Sequence, residues 1–356
     1  MKKHNFSAGP AILPQSVFAE AAQSVQDLDG SGLSILEISH RSPAFTAILD
    51  EAVSLPREIL HIPDSHEVLY LTGGASSQFF MTAMNLLSDN GKAAYIDTGS
   101  WSVKAIKEAQ LFGSVDVVAS SKEKNYTYIP KTYTIPEDAT YLHITSNNTI
   151  FGTQYQQFPE TDIPLVCDMS SDIFSRPVDV SRFAVIYAGA QKNLGPAGTT
   201  LVIVQRDLLG KVNRNIPTML DYRTHIKKNS SFNTPPVFPI YVSMLTLRWI
   251  KAQGGLDALA KHNASQADRM YAAIDRNPLF TGTAAREDRS RMNATFVAQD
   301  PDIEQAFLQA CNDANISGIK GHRSVGGFRS SMYNALPDES LQVLIDLMDD
   351  FAKKYG

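Results

Sequence analysis

Lys192 and Asp168 are two side chains whose types and spacing allow them to share one chemical task. Lys192 lies in a short loop of small residues, between an apolar run that ends at Tyr187 and a second run that begins at Thr199. A lysine held between two buried strands can have a lowered pKa, which leaves its amine nucleophilic. On loop position alone a solvated lysine is the commoner explanation, so the interpretation depends on the residues near Lys192.

Asp168 ends the next apolar run upstream, residues 165–167. A carboxylate at the end of a buried strand is costly unless it meets a cation, and a protonated pyridine nitrogen is such a cation. The simpler alternative is an aspartate that caps the following turn. Lys192 follows Asp168 by 24 positions, which leaves space for one crossover, so both can reach the same edge of a sheet. Together they fit pyridoxal phosphate, with Asp168 keeping the ring nitrogen protonated and Lys192 binding the aldehyde as an imine.

Three more loops follow predicted strands, which is where ligands bind in an open parallel sheet. The first, residues 72–77, offers glycines, serine hydroxyls and the N–H groups of a helix start to a phosphate, although plain helix capping explains it equally well. Trp101 follows the next strand, and it either stacks on a flat cofactor or packs in the core. The hydroxyls of residues 145–150 either bind a ring substituent or cap the next helix.

A cluster of basic side chains lies near the C-terminal end. Residues 318–329 hold, among several glycines, the cations Lys320, His322, Arg323 and Arg329. Such a loop is typical of a segment that wraps an anionic substrate, because guanidinium groups bind carboxylates and phosphates in two-point contacts. Arg41 is a further candidate of this kind. Any one of these arginines could form an ordinary surface salt bridge, but as a set they indicate a substrate with more than one anionic group.

Composition limits the class of protein. The chain has 356 residues, enough for two domains, with 43% hydrophobic and 19% charged residues, as in ordinary globular proteins. A net charge of −5 provides no broad cationic surface, so we expect no nucleic-acid binding. Cys167 and Cys311 show neither a disulfide pattern nor zinc-site spacing, so no metal is expected. The sequence shows no signal-peptide or membrane-span pattern, which predicts a cytoplasmic protein without membrane contact.

Short apolar runs alternate with helical patterns from about residue 17 to residue 253, which predicts an α/β fold with a mostly parallel sheet of seven strands. We expect a large domain over residues 16–254 and a small α+β domain over residues 255–356. The polar stretch 222–239 is too long for a simple connection and is a candidate functional loop. The seven predicted strands are residues 68–71, 93–97, 115–119, 140–144, 165–168, 184–187 and 201–204.

Several strings of residues together point to a family. They include Glu37-Ile-Ser-His-Arg41, Ala188-Gly-Ala-Gln-Lys-Asn193, Phe232-Asn-Thr-Pro-Pro236, Ser290-Arg-Met-Asn293 and Lys320-Gly-His-Arg323. From Phe6 to the C-terminus, the chain resembles the phosphoserine aminotransferases, class-V enzymes of pyridoxal-phosphate fold type I. The resemblance implies a fold-type I transferase whose N-terminal segment, residues 1–15, packs near the active site.

The resemblance also implies a binding site for pyridoxal 5'-phosphate. Lys192 corresponds to the lysine that binds the cofactor and moves protons, and Asp168 corresponds to the partner of the pyridine nitrogen. Trp101 would stack on the ring, and Thr149 would bind the ring hydroxyl. The cofactor phosphate would be bound by the remaining residues, of which the last two reach across a homodimer interface: Ala75, Ser76, Gln191, Asn233 and Thr234.

For the substrates, the resemblance implies that Arg329 binds the α-carboxylate. Arg41, His322 and Arg323 would receive either a substrate phosphate or the side-chain carboxylate of glutamate. His322 and Arg323 would come from the partner subunit. A transaminase holds two substrates in one site, and a set of cations that accepts either anion meets that demand.

The chain departs from the family pattern at one place. Many members carry Gly-Gly-Gly-Arg-Gly-Gln where this sequence has Gly73-Gly-Ala-Ser-Ser-Gln78. A cation beside the cofactor phosphate is therefore missing, although the backbone N–H groups of Ala75 and Ser76 and the Ser76 hydroxyl remain.

The activity expected from the resemblance is transamination between L-glutamate and 3-phosphohydroxypyruvate, which gives O-phospho-L-serine and 2-oxoglutarate, with a possible side activity in pyridoxine biosynthesis. Another class-V enzyme, such as an alanine-glyoxylate-type aminotransferase or a lyase, is the alternative. A desulfurase needs a mobile cysteine, and both cysteines lie inside predicted elements. A nicotinamide dehydrogenase or a non-enzymatic phosphate-binding protein would leave Lys192 without a role.

Overall fold

The computed structural model describes residues 3–356, so the first two residues of the predicted segment 1–15 lie outside the described residues. Strands and helices alternate through most of that range. The strands are β1 (His4–Asn5), β2 (His66–Leu71), β3 (Lys92–Asp97), β4 (Ser114–Ser120), β5 (Ala139–Thr145), β6 (Asn147–Asn148), β7 (Thr153–Gln154), β8 (Leu165–Asp168), β9 (Phe183–Gly189), β10 (Thr200–Gln205), β11 (Phe280–Gly282), β12 (Asn293–Ala298), β13 (Ile316–Ser317) and β14 (Phe328–Ser331). The α-helices are α1 (Gln15–Gln26), α2 (Pro43–Leu60), α3 (Gly74–Leu86), α4 (Ser100–Ala109), α5 (Tyr222–Lys227), α6 (Val237–Ala252), α7 (Gly255–Arg276), α8 (Pro301–Asp313) and α9 (Asp338–Tyr355).

A seven-stranded sheet forms the centre of the fold, in the order β2-β10-β9-β8-β5-β3-β4. Six strands run in the same direction, and β10 is antiparallel to both of its neighbours. All seven predicted strands are present, and the predicted mostly parallel α/β fold is confirmed. The apolar runs form strands here because helices cover both faces of the sheet, so that every residue of β8 and β9 is buried.

The two faces of the large sheet pack against different helices. One apolar cluster contains residues of α1, α2 and α6, and the other contains residues of α3 and α4. Both α3 and α4 begin directly after a strand, since β2 ends at Leu71 and β3 ends at Asp97. Their N-termini therefore lie at the carboxyl end of the sheet, the edge at which Lys192 and Asp168 also lie.

A separate apolar cluster forms around the antiparallel sheet β11-β12-β14, and it contains residues of α7, α8 and α9. Phe328 packs edge-on against both Phe280 and Phe307 in its centre. The sequence analysis missed β11, because only the first of its three residues is buried and no alternating pattern marks it. This cluster supports β14, the strand that carries Arg329.

The predicted domain boundary between residues 254 and 255 coincides with a change of helix. Helix α6 ends at Ala252, Gly254 has a left-handed φ of 91°, and α7 begins at Gly255. Nevertheless Leu256 and Leu259, in the first turns of α7, belong to the core of the large sheet, whereas its later residues pack in the small cluster. Helix α7 therefore contributes to both cores, and the domain division stays a prediction.

The N-terminal segment is tied to the C-terminal part of the chain. Strand β1 pairs in parallel with β13, and Phe6 and Ile12 lie in the small apolar cluster. Between these two buried residues the chain crosses to the large domain, because the Ala11 N–H donates to the Gln191 carbonyl over 2.9 Å. The segment thus reaches the loop that carries Lys192.

The stretch 222–239 is less irregular than its composition predicts. Its first six residues form helix α5, which begins where the Asp221 side chain accepts a hydrogen bond from the Arg223 N–H at 2.9 Å. Tyr222 is fully buried, and its hydroxyl donates to Gln78 Oε1 at 2.7 Å. The polar composition concealed this buried contact, and only residues 228–236 remain as a loop between α5 and α6.

Within residues 3–356, no helix is both long enough and apolar enough to cross a membrane. The same part of the chain holds no group of three or more His, Cys, Asp or Glu side chains arranged to bind a metal ion.

Candidate active site

Lys192 and Asp168 lie at the carboxyl ends of two neighbouring parallel strands. Asp168 is the last residue of β8, and it stands opposite Tyr187 of β9 in the sheet register. The chain leaves β9 at Gly189, and Lys192 follows three residues later. The fold therefore brings together the two side chains that the sequence singled out.

Burial sets the charge state of both groups. Asp168 is only 5% exposed, and this burial raises the pKa of its carboxyl, whereas Lys192 and the Ser170 N–H, 2.9 Å from Asp168 Oδ1, act in the opposite direction. Burial likewise lowers the pKa of Lys192; the Asp168 carboxylate opposes this shift and Arg329 adds to it. A lysine amine with a lowered pKa is available in its neutral, nucleophilic form closer to physiological pH.

The ring of Trp101 is the flat surface of the site. Lys192 Nζ lies 5.3 Å from the ring centroid, and Lys104 Nζ lies 4.5 Å from it. The indole Nε1–H donates to Thr149 Oγ1 over 3.3 Å, so the ring faces the site instead of packing wholly in the core. Trp101 and Thr149 were both predicted as cofactor-binding residues, and the structure places them in contact.

Asp97 holds the start of helix α4, and thereby Trp101, in place. Its Oδ1 accepts a hydrogen bond from the Ser102 hydroxyl at 2.9 Å, and the hydroxyl accepts the N–H groups of Thr98 and Gly99, each at 3.0 Å. Its Oδ2 accepts from the Tyr126 hydroxyl at 3.1 Å. A buried carboxylate with several donors is firmly held, so the backbone on each side of Trp101 has little freedom.

A phosphate cradle lies at the start of helix α3. Gly73 has a φ of 98°, and a Cβ at this position would lie 1.7 Å from Ser77 Oγ, so only glycine fits. In the first helical turn, the N–H groups of Ala75 and Ser76 have no acceptor within the helix and carry the positive end of its dipole. The Thr199 hydroxyl donates to the Leu71 carbonyl at 3.4 Å, which links this turn to the strand after the Lys192 loop.

The N-terminal segment covers the stem of Lys192. Gly9 has a φ of 137°, and a Cβ there would lie 3.1 Å from Lys192 Cγ. The Tyr333 hydroxyl donates to the Ala8 carbonyl at 2.8 Å, and the Asn293 amide donates to the Tyr333 hydroxyl at 3.3 Å. These contacts hold the segment against the lysine.

Arg329 lies at the rim of the same site. Its Nη1 donates to the Thr149 carbonyl at 3.0 Å, while its buried Nε has no hydrogen-bond partner. Burial lowers the pKa of Arg329, although a guanidinium keeps its charge at all ordinary pH values. A cavity of about 740 Å³ opens beside it, with Ser100 and Tyr126 among its lining residues. A guanidinium group beside a cavity is suited to bind a carboxylate.

His322 lies in the loop that precedes Arg329. Its Nδ1 is 2.7 Å from the Ser324 hydroxyl. Burial lowers the pKa of His322, and the positive charges of Arg329, Arg323 and Lys104 add to the shift. Because these cations act on His322 within one chain, this part of the predicted anion-binding set is gathered together.

Three other predicted residues are exposed at the surface, and one of them, Asn233, lines a cavity together with Gly73 and Ser77 at the start of α3. Arg41, Asn233 and Thr234 are exposed, and the Asn233 amide donates only to the neighbouring Thr234 carbonyl, at 3.3 Å. Asn233 and Thr234 were predicted to contact the cofactor phosphate in a second copy of the chain. Their assignment stays a prediction, as does that of Arg41.

The residues at this edge of the sheet fit pyridoxal phosphate. Asp168 can pair with a pyridinium, Trp101 can stack on the ring, and the first turn of α3 can bind a phosphate. Lys192 supplies the amine that such a cofactor binds. Fold and site together define the class: a pyridoxal-phosphate enzyme of fold type I, and the predicted cofactor is confirmed.

Comparison with known proteins narrows this class to a family. The family model for aminotransferase class V matches residues 3–344. A phosphoserine aminotransferase of Flavobacterium johnsoniae is 60% identical over 355 residues, which cover 99% of this chain and 100% of that protein. The chain belongs to the phosphoserine aminotransferase family of the class-V aminotransferases. It is therefore a pyridoxal-phosphate-dependent transaminase.

Solved structures agree with this assignment. A solved structure of a phosphoserine aminotransferase superposes with a TM-score of 0.97 at 46% identity, and the match covers 99% of both chains. That structure describes radiation damage of the Schiff base in the enzyme. The phosphoserine aminotransferase of Bacillus circulans subsp. alkalophilus also gives a TM-score of 0.97, at 44% identity, over 100% of this chain and 99% of that one.

The sequence analysis missed several residues that shape the site. Asp97 ends a predicted strand just as Asp168 does, and that position was a usable signal. Lys104 follows Trp101 by three residues, which is one helical turn, so its place over the ring could also have been anticipated. The contacts of Gly9 and Tyr333 had no comparable signal, because each joins segments far apart in the chain.

We expect Asp168→Asn to lower the pKa of Lys192 further. The Asp168 carboxylate is the main group that opposes the effect of burial on this lysine, so its removal favours the neutral amine. The pKa is measured by NMR titration of the methylated lysines in the cofactor-free protein, with the signal assigned by its loss in Lys192→Arg. The Lys192 signal should titrate at a lower pH in Asp168→Asn than in the wild-type protein.

The matched control is Asp162→Asn, which removes an exposed carboxylate. It should leave the Lys192 signal unchanged. A Lys192 pKa that rises or stays constant in Asp168→Asn would contradict the charge pairing described above.

Proposed function

We propose that this chain transfers the amino group of L-glutamate to 3-phosphohydroxypyruvate, giving 2-oxoglutarate and O-phospho-L-serine. The observation that carries the proposal is a lysine with a lowered pKa, Lys192, held between the Asp168 carboxylate and the Trp101 ring. The relatives named phosphoserine aminotransferase, which match over the whole chain, support the choice of substrates.

In this proposal Lys192 both binds the cofactor and transfers the proton of the substrate Cα. Pyridoxal phosphate, when bound, supplies an aldehyde that joins to amines and a ring that withdraws electrons from the amino-acid Cα. The Lys192 amine, whose pKa burial lowers, would take the proton from Cα as a general base and deliver it to the cofactor carbon as a general acid. Asp168 stabilises a proton on the ring nitrogen through its buried negative charge.

The remaining cofactor contacts are proposals that the local geometry supports. Trp101 provides the stacking surface and Thr149 a hydroxyl at its edge, while Gln191 adjoins Lys192. Ala75 and Ser76 offer helix N–H groups to the phosphate. Asn233 and Thr234, which lie exposed on the loop between α5 and α6, would complete the phosphate site of a partner subunit.

The substrate contacts follow the distribution of positive charge. Arg329, which lines the cavity, binds the α-carboxylate. Arg41, His322 and Arg323 bind the second anionic group, either the phosphate of one substrate or the γ-carboxylate of the other. Charge-assisted hydrogen bonds from several donors accommodate both groups in one site.

A desulfurase activity disagrees with the state of both cysteines. Cys167 is fully buried in β8, where burial raises the pKa of its thiol well above the ordinary value. Burial also raises the pKa of the Cys311 thiol, to about 12. The thiolate is the reactive form of cysteine, so neither side chain is suited to attack a sulfur atom.

We propose a homodimer with shared active sites, in which the exposed Asn233 and Thr234 reach the cofactor phosphate of the partner subunit. The large domain 16–254, the small domain 255–356 and the segment 1–15 complete the proposed organisation. The cytoplasmic location and the side activity in pyridoxine biosynthesis stay predictions.

The proposed half-reaction is tested by adding glutamate to the purified holoenzyme and recording its visible spectrum. We expect the yellow band of the lysine-bound cofactor to be replaced by the band of the pyridoxamine form, and 3-phosphohydroxypyruvate to restore it. Lys192→Ala should abolish this cycle, since it removes the lysine whose charge acts on Asp168.

Lys261→Ala, which removes an exposed lysine on α7, serves as the control and should retain the full cycle. A colourless wild-type protein, or a band that glutamate leaves unchanged, would overturn the proposed function.

Arg323→Ala should weaken binding of the phosphorylated substrate more than Arg41→Lys does. The alanine variant removes a charged donor, whereas the lysine variant keeps the positive charge. We expect KM for 3-phosphohydroxypyruvate to rise about tenfold or more in Arg323→Ala, as for the loss of a charged hydrogen bond. Steady-state kinetics of both variants, with the exposed Arg291→Ala as control, measure the difference. Equal KM values in Arg323→Ala and wild type would exclude Arg323 from the phosphate site.

A further inference from the structure

A strained turn follows Asp168 in the chain. The N–H groups of Asp172 and Ile173 both donate to the Met169 carbonyl, at 3.2 Å and 2.9 Å, which closes the turn. Phe174 then has a φ of 59°, a left-handed conformation that bulky side chains rarely adopt. Phe174 is also fully buried. Such a conformation persists only where the surrounding contacts enforce it.

Three asparagines provide those contacts, one for each of three consecutive carbonyl groups. Asn193 Nδ2 donates to the Ile173 carbonyl at 2.7 Å, Asn334 Nδ2 donates to that of Phe174 at 2.8 Å, and Asn263 Nδ2 donates to that of Ser175 at 3.0 Å. We call these three residues the asparagine clamp. They are 4%, 5% and 2% exposed for Asn193, Asn334 and Asn263, so water does not replace any of the bonds.

The members of the asparagine clamp are also bonded to one another. The Asn334 N–H donates to Asn193 Oδ1 at 3.0 Å, and Asn263 Nδ2 donates to Asn334 Oδ1 at 2.9 Å. Asn193 comes from the Lys192 loop, Asn334 from the connection between β14 and α9, and Asn263 from α7. The clamp therefore joins three separate segments to the turn after Asp168.

Each segment bonded by the asparagine clamp leads to a functional group. Asn193 is the residue after Lys192, and the turn that it bonds begins just after Asp168. Asn334 follows Arg329 by five residues, and its neighbour Tyr333 donates to the Ala8 carbonyl at 2.8 Å. The Asn193 amide thereby links the Lys192 loop both to the turn after Asp168 and to the segment that follows β14.

We propose that the asparagine clamp positions Lys192 relative to Asp168 and Arg329 for proton transfer at the substrate Cα. Asn193 and Asn334 are positioning residues, because they act through their neighbours and not by contact with the substrate. The proposal rests on the proposed function of Lys192. A displacement of about 1 Å in a reacting group can slow a step about a hundredfold, so a small release of the loop is enough to matter.

The clamp is tested in the holoenzyme with Asn193→Ala and Asn334→Ala. Asn277→Ala is the matched control, because Asn277 is also an asparagine that is only 6% exposed and its Nδ2 donates to a backbone carbonyl, that of Met348, at 2.9 Å. Asn277 bonds only within the C-terminal part of the chain. All three variants lose a buried amide and should lose stability to a similar degree. Only the two clamp variants should also change the position of Lys192.

Three quantities are measured: kcat, KM for glutamate, and the rate at which the visible band appears when the cofactor-free protein is mixed with pyridoxal phosphate. We expect Asn193→Ala and Asn334→Ala to lower kcat and the rate of band formation by about tenfold or more. KM should stay within about threefold, since Arg329 keeps its charge and its cavity. Asn277→Ala should leave all three quantities near their wild-type values.

Aspartate variants keep the test decisive if an alanine variant fails to fold. Asn193→Asp keeps the acceptor for the Asn334 N–H and loses only the donor to Ile173, and Asn334→Asp loses only the donor to Phe174. The same fall in kcat and in band formation is expected for both.

The proposal would be overturned if kcat and the rate of band formation fell equally in the clamp variants and in Asn277→Ala. It would also be overturned if neither quantity fell in the clamp variants. A wild-type protein that forms no visible band with pyridoxal phosphate would instead overturn the proposed function. The two failures are therefore distinguishable in one set of experiments.

Discussion

The balance of charge between Lys192 and Asp168 in a buried site is the interaction on which the rest of the structure depends. Burial alone would make both groups neutral, because it lowers the pKa of the lysine and raises that of the aspartate. Each group partly offsets that effect in the other. The pair thereby keeps a carboxylate for the cofactor ring and an amine that can exist in its neutral form. If the two side chains moved apart, burial would act unopposed on Asp168, and its carboxylate form would lose the positive charge that stabilises it.

The surrounding fold holds this pair in place. Neighbouring parallel strands bring Asp168 and the Lys192 loop to one edge of the sheet, and helices α3 and α4 begin at the same edge. Asp97 holds the backbone around Trp101, and the N-terminal segment covers the stem of Lys192. Arg329 reaches the site from a separate small sheet, so substrate binding and chemistry depend on contacts between the two parts of the chain.

Much of this arrangement was predictable from local patterns. Seven apolar runs mark the seven strands, so the fold was correctly predicted. Asp168 lies at the end of one strand and Trp101 follows the end of another, and these positions led to the correct cofactor. The asparagine clamp was not predictable, because its amides join residues between 20 and 160 positions apart, and nothing in the composition of any one segment marks them. Helix α5 was missed for a similar reason, since a distant contact buries Tyr222.

The central claim is that Lys192 moves the Cα proton of the substrate. It is tested most directly by incubating the holoenzyme with glutamate in heavy water and following the Cα hydrogen by NMR. The wild-type protein should exchange this hydrogen with solvent, Lys192→Ala loaded with pyridoxal phosphate should not, and added methylamine should partly restore the exchange. Exchange that continues at the wild-type rate in Lys192→Ala would contradict the account.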